Sequence, residues 1–254
     1  MSTTQFYDGL ADTYHALYPD WRDAGLAQAR ALHRLLRRWH REPADIADVA
    51  CGIGTQLIGL AGLGHRVTGS DISTRAVSRA QRECAATGVH AGLLVADMRH
   101  LPLRDSCADA VICADNALPH LLADSDALAA LAQMNRILRP GGTAIVTTRD
   151  YDRLLADPPA STLPQVFQSD GTRVISFQLW DWHDETGIYD LEHFQVRENP
   201  DGSRTTERRT ATYRAYTRAA LTRLATTAGL ESVNWHMPCD SGFFQPVMTA
   251  RSPA

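Results

Sequence analysis

The stretch "DVACGIGTQ", Asp48 to Gln56, decides how this chain is read. An apolar run, "DIADVA" (45–50), leads into it, and another, "LIGL" (57–60), follows. Glycine belongs where a backbone must pass through left-handed space or come close to a ligand. A strand that ends in such a turn and opens a helix offers free N–H groups and partial positive charge. The spacing here is G-x-G, at Gly52 and Gly54; the third glycine of a dinucleotide fingerprint would stand at position 57, which is Leu57. No G-K-[ST] follows, so the loop is not a phosphate cradle.

The next apolar segment, "HRVTGSDIS" (65–73), brings an acid to the turn. Asp71 lies seventeen residues past Gly54. A carboxylate at the end of the second strand sits beside the glycine turn and accepts both hydroxyls of a ribose. Glycine turn and acid together specify a nucleoside; the missing glycine argues against a pyrophosphate.

Farther out, strands and helices alternate. A helix is expected over 21–40, with Leu26, Leu32, Leu35, Leu36 and Trp39 on its apolar stripe. "STRAVSRAQRECAATG" (73–88) reads as a helix that Ser73 caps and Gly88 ends. "HAGLLVADMRHLPL" (90–103) and "CADAVICADNALPHL" (107–121) contain the third and fourth strands. A helix follows, closed by Pro140-Gly141-Gly142, and "TAIVTTRDYD" (143–152) holds the fifth strand. Short loops between alternating elements imply right-handed crossovers and a parallel sheet covered on both faces. Beyond Asp150 the pattern changes. "RVISFQLWDW", "IYDLEHFQVRE" and "TTERRTATYRAY" alternate with period two, separated by the turn signals "HDETG" and "NPDGS". "TRAALTRLATTAGL" is a helix capped by Thr217, and "ESVNWHM" and "FFQPVMTA" are closing strands. The expected class is α/β: a doubly wound, mostly parallel seven-stranded sheet with an antiparallel β insertion after the fifth strand. The expected organisation is an N-terminal helical cap at 1–40 and a core domain at 41–254. The inserted meander spans about 156–216.

Composition narrows the function. The formal net charge is -4 and all 25 basic residues are Arg, spread along the chain. That argues against a nucleic-acid partner, which calls for a basic face. The five cysteines include no C-x-x-C pair, so neither a disulfide framework nor a zinc site is expected. "MSTTQFYDGL" lacks the basic and apolar regions of a leader. No apolar run approaches the roughly 18 residues of a membrane span. The expectation is a cytoplasmic protein, a monomer or small homo-oligomer, with no metal, nucleic-acid or membrane partner.

The chain resembles the class I S-adenosylmethionine-dependent methyltransferases. "DVACGIGT" resembles their first motif, "GSDIS" the ribose-binding second, "VADMRHLPL" the adenine-side third, "DAVICADNALPHL" the fourth and "ILRPGG" the fifth, over residues 48–147. The resemblance implies a Rossmann-like methyltransferase fold. It also implies that Ala50, Cys51, Gly52, Gly54, Asp71, Ile72, Asp97, Met98 and Ala114 hold S-adenosyl-L-methionine, with S-adenosyl-L-homocysteine as product. Asp97 would meet the adenine amino group and Met98 cover the ring. Tyr14, in an aromatic-rich stretch with Tyr7, Tyr18 and Trp21, and Gln28 on the following helix complete the expected cofactor set. Aromatic faces favour a sulfonium or an ammonium.

A narrower resemblance, to the glycine and sarcosine N-methyltransferases, rests on "FYDGLADTYHALYPDW", "VICADNALPHL" and "RPGGTAIVTTRDYD". It implies that Asn116 and His120 line the pocket and that Arg149 clamps a substrate carboxylate. Tyr7 joins them as an expected catalytic residue. Arg149 follows the fifth strand, where open α/β sheets bind ligands, and its fork suits a carboxylate. An ion pair with Asp150 or Asp152 is the competing reading. His120 is expected to orient the acceptor or take a proton near neutral pH. Trp180 and Trp182 share a strand face, as a cleft roof or as a sheet-packing pair. The expected function is methyl transfer to a small-molecule acceptor, foremost the amine of an amino-acid-like substrate. The alternatives are C- or O-methylation of a secondary metabolite, and a non-catalytic protein that binds S-adenosylmethionine or S-adenosylhomocysteine. The base-methylating tetrapeptide N-P-P-[YFW] is absent; "ADNALPH" stands in its place.

Overall fold

The computed structural model describes every residue except Met1, Asp170, Asp184, Glu185 and Pro200. The last three belong to the turn signals "HDETG" and "NPDGS", which in that part lie outside the described residues. In chain order the elements are α1 (Thr3–Leu10), α2 (Trp21–Leu36), β1 (Asp45–Asp48), α3 (Leu57–Gly62), β2 (Arg66–Asp71), α4 (Thr74–Thr87), β3 (Ala91–Val95), β4 (Ala108–Cys113), α5 (Asp124–Ile137), β5 (Leu138–Thr147), α6 (Tyr151–Ala156), β6 (Gln165–Ser169), β7 (Thr172–His183), β8 (Ile188–Glu198), β9 (Arg204–Arg214), α7 (Arg218–Thr227), β10 (Glu231–His236), α8 (Pro238–Ser241) and β11 (Val247–Arg251).

Seven strands form one sheet in the order β10-β11-β5-β4-β1-β2-β3. β1 pairs in parallel with β2 on one side and with β4 on the other, so the winding reverses there. β11 runs antiparallel between β5 and β10. β4 is buried along nearly its whole length, as a strand covered on both faces must be. Open α/β sheets bind ligands at such a reversal, beyond the carboxyl ends of the strands. The loops after β1 and β4 therefore meet where the sequence placed its glycines and its "ADNALPH". The remaining strands form the antiparallel sheet β6-β7-β8-β9, inserted between β5 and α7.

Several local signals act as read. The Ser73 hydroxyl accepts from the Ala76 N–H, Gly88 ends α4 in left-handed geometry, and the Thr217 hydroxyl caps α7. Others act differently. The helix expected over 21–40 ends at Leu36, leaving Trp39 38% exposed. Pro140-Gly141-Gly142 do not close a helix; they belong to β5, which starts at Leu138 straight after α5.

α2 crosses α3 through two glycines. A Cβ at Gly25 would stand 2.5 Å from the Thr55 carbonyl oxygen, and one at Gly59 2.5 Å from the Ala29 Cβ. Backbone cannot yield as a side chain can. Gly25→Ala is expected to destabilise the fold by about 1–3 kcal/mol through overpacking, despite a helix-propensity gain of about 1 kcal/mol. A urea midpoint at or above wild type would refute this.

Candidate functional site

Gly52 (φ +53°) and Gly54 (φ +96°) make the turn after β1 in left-handed backbone that other residues avoid. The Gly52 N–H donates to Asp71 Oδ2 at 2.9 Å and the Ser73 N–H to Asp71 Oδ1 at 2.9 Å. The chain thus fixes Asp71 while each oxygen keeps a lone pair for a ligand. Burial raises the Asp71 pKa, against the pull of those N–H donors. A Cβ at Gly52 would meet nothing within 4 Å; at Gly54 it would press on Ile58 at 2.9 Å. Gly52 therefore borders open space, while Gly54 shapes the turn. Asp97 is held by the Arg99 guanidinium at 2.6 Å, which keeps its carboxyl below the ordinary range. Beneath the turn, Asp48 Oδ2 is buried without a hydrogen-bond partner, and burial pushes Asp48 up to about 7.

These groups enclose a cleft of about 330 Å³. Ala50, Gly52, Asp71, Ile72, Asp97, Met98, Ala114 and Tyr14 line it, together with Tyr7 and His120. Three expected cofactor residues stand outside it. Cys51 and Gly54 form the turn from behind. Gln28 is buried on α2, its carbonyl accepting from Gln56 Nε2 at 2.7 Å.

A second chamber, about 260 Å³, opens between the loop after β4 and the meander. It shares Tyr7, Tyr14 and Asp115 with the first, and Asn116 and Arg149 line it. Asp115 (φ 56°) and Asn116 (φ 63°) are successive left-handed residues, a costly conformation that concentrates at functional sites. The end of β5 holds them: the Asp115 N–H donates to Thr147 Oγ1 at 2.8 Å and the Asn116 N–H to the Thr147 carbonyl at 3.2 Å. Asn116 Oδ1 accepts from the Arg149 N–H (3.1 Å) and the Tyr151 hydroxyl (3.0 Å), while its buried Nδ2 has no partner.

Arg149 is half-buried. Its Nη1 donates to the Tyr189 hydroxyl at 2.5 Å, and its guanidinium carbon lies 4.7 Å from the Trp180 ring centroid and 5.2 Å from that of Tyr213. Asp150 and Asp152 pair with Arg218 instead, at 2.8 and 3.4 Å. Among the described residues no carboxylate pairs with Arg149. Six of the seven tyrosines surround this chamber or its arginine. Burial raises the pKa of Tyr7, Tyr14, Tyr18 and Tyr151 well above the usual value, so they are neutral donors and cannot offset the cation.

His120 Nε2 lies 2.8 Å from the Tyr7 hydroxyl, and its ring packs 4.1 Å from that of Tyr213. Burial, and then the charge of Arg149, push His120 down to about 3. It is a neutral hydrogen-bond partner, not the group titrating near neutrality that the sequence suggested. Trp180 stacks on Tyr189 at 4.8 Å and Trp182 lies 4.6 Å from the same ring, so the pair packs the sheet, and Trp180 also covers Arg149. Sequence reasoning missed Asp115, Tyr151, Tyr189 and Tyr213. A trace was available: His193 and Gln195 stand on the buried face of β8 in step with Tyr189 and Leu191. Polar residues on such a face mark a cavity wall.

Residues 46–142 match the family described as a methyltransferase domain. A glycine/sarcosine N-methyltransferase of Parasynechococcus marenigrum is 32% identical over 59% of this chain and 53% of its own length. The chain thus spans about half the length of that curated relative. Among solved structures, CcbJ methyltransferase from Streptomyces caelestis superposes with a TM-score of 0.78 at 20% identity, covering 100% of both chains. CalS10, an amino pentose methyltransferase from Micromonospora echinaspora solved with S-adenosylmethionine, gives 0.77 at 19% identity over 95% of each. No helix among the described residues is long and apolar enough to cross a membrane. With a methyltransferase domain matched over residues 46–142, the chain resembles the class I S-adenosylmethionine-dependent methyltransferases in motif order and shares their fold.

Proposed function

We propose that this protein transfers a methyl group from S-adenosylmethionine to the amine nitrogen of a small, carboxylate-bearing acceptor. One observation carries the choice of acceptor: Arg149, a half-buried cation with no carboxylate partner among the described residues, faces the chamber beside the cofactor cleft. A buried charge without a partner is costly, so the site is built for an anion to complete it. The unpartnered Asn116 amide stands next to it as a further donor.

The cleft suits the cofactor. Asp71 retains lone pairs for ribose hydroxyls, Gly52 leaves its side-chain space open, and Met98 and Ile72 offer apolar cover to the base. When bound, the cofactor supplies an activated sulfonium methyl; the protein's part is to orient the acceptor and exclude water. Tyr7 and His120 close the junction of the two chambers. His120, depressed to about 3, is a weak base, which favours an amine, able to give its proton to solvent before transfer, over a phenol that needs one removed by the protein. The Parasynechococcus relative, named for glycine and sarcosine, and CalS10, named for an amino pentose, both carry names that fit nitrogen as the acceptor atom.

The test is incubation with labelled donor and a panel of α-amino acids, their amides, aminosugars and phenols, with products identified by mass. Methylation of free amino acids in preference to their amides is expected. Equal turnover of acids and amides, or methylation confined to phenols, would overturn the reading.

A further inference from the structure

We propose that Asp115 is the subsite for the acceptor's amine, so that Asp115 and Arg149 together read a zwitterion. This rests on the carboxylate reading of Arg149 and names the other half of the substrate.

Asp115 is the one carboxylate lining the acceptor chamber among the described residues, and it also lines the cofactor cleft. It stands where the two spaces join, which is where an acceptor nitrogen must come to meet the methyl. Its orientation is fixed from two sides. Tyr14 and Tyr18 donate to the same oxygen, Oδ2, at 3.0 and 2.7 Å. Its N–H is held by Thr147 Oγ1, whose own hydroxyl donates to Gln245 at 2.9 Å. Oδ1 accepts no hydrogen bond among the described residues. Because both tyrosines stay protonated, they orient the carboxylate without adding charge.

Neither Asp115 nor Arg149 has an ion-pair partner among the described residues, and they do not pair with each other. Two fixed, opposite, unneutralised charges in one chamber of about 260 Å³ complement a molecule that carries both signs. The nitrogen binds as an ammonium and loses one proton to solvent. It then forms its bond to carbon as the carbon–sulfur bond breaks, leaving a methylated ammonium and a neutral thioether. Positive charge arrives on nitrogen during that step. A carboxylate already placed beside it stabilises the change without reorganising.

The test is calorimetry on protein saturated with S-adenosylhomocysteine, with matched ligands: glycine and acetate, alanine and propionate, phenylalanine and 3-phenylpropionate. In wild type at least one amino acid should bind roughly 10- to 100-fold more tightly than its desamino partner. Asp115→Asn keeps the shape and tolerates left-handed backbone. It should bring that ratio near one while leaving desamino binding unchanged. A wild-type ratio near one, which needs no variant to measure, or an unchanged ratio in the variant, overturns the subsite. If the variant weakens S-adenosylmethionine but not S-adenosylhomocysteine, the carboxylate serves the sulfonium, and the subsite is overturned likewise. Failure of wild type to bind any of these carboxylates sinks the Arg149 reading itself.

Discussion

Arg149→Leu is expected to raise the KM for a carboxylated acceptor by at least roughly a hundredfold, since two charge-assisted hydrogen bonds of about 1.5–3 kcal/mol each are lost. The affinity for S-adenosylmethionine should not change, because Arg149 does not line the cofactor cleft. Arg149→Lys should recover part of the loss: it keeps the charge but not the planar fork. Stability separates a binding role from a structural one. A guanidinium without a counter-ion opposes folding, and a leucine among Trp180, Tyr189 and Tyr213 removes that burden. The leucine variant should therefore melt at or above the wild-type temperature while losing the acceptor. A lowered melting temperature with unchanged KM would make Arg149 a structural cation and end the carboxylate assignment.

The convergence of Gly52, Asp71, Asp97 and Ala114 on one cleft was legible because it is local in the chain. In a parallel α/β sheet each strand delivers its C-terminal residues to one edge, so the ends of β1, β2, β3 and β4 converge whatever the details of packing. The positions of Gly52, Asp71, Asp97 and Ala114 follow from strand order alone. The acceptor half depends on contacts that no spacing encodes. Tyr14 and Tyr18 meet Asp115 across about a hundred residues, and Tyr189 reaches Arg149 only because the register of the meander sets it opposite Tyr213. β6 escaped notice because "QVFQS" is only five residues long and sets Val166 and Phe167 side by side instead of alternating with period two. α1 carries a readable signal: Ser2 and Gln5 form a reciprocal capping box, the pattern S-x-x-Q. That box fixes the start of the helix that presents Tyr7 to the site. Pro140-Gly141-Gly142 misled because the pattern of a helix stop also suits a strand entry. Gly141 (φ 69°) takes the left-handed turn there, and the β4–β5 register shifts beside it.

The second large effect lies in the cofactor cleft. Asp71→Asn should weaken S-adenosylmethionine binding by about 1.5–3 kcal/mol, roughly ten- to 150-fold, because a charged acceptor of the ribose hydroxyls becomes a neutral amide. The pH dependence follows from the same group. Asp71 can accept hydrogen bonds at both oxygens only when ionised, since protonation turns one of them into a donor, and burial raises its pKa above the ordinary carboxylate value. Affinity should fall on acidification, with a midpoint above the usual carboxylate range, and Asp71→Asn should lack this limb. The stability sign runs the other way. A carboxyl whose folded-state pKa is raised favours folding below its unfolded pKa and loses that contribution as pH rises through the folded one. Near neutrality the ionised Asp71 therefore opposes folding by its desolvation, while Asn can accept from only one of the Gly52 and Ser73 N–H groups; the two effects oppose each other, and Asp71→Asn should shift the thermal midpoint at pH 7 only slightly. Weakened binding without destabilisation would assign Asp71 to the ligand. Unchanged affinity in calorimetry, or a loss that only mirrors a lowered midpoint, would return it to the role of a bracket for the Gly52 and Ser73 backbone.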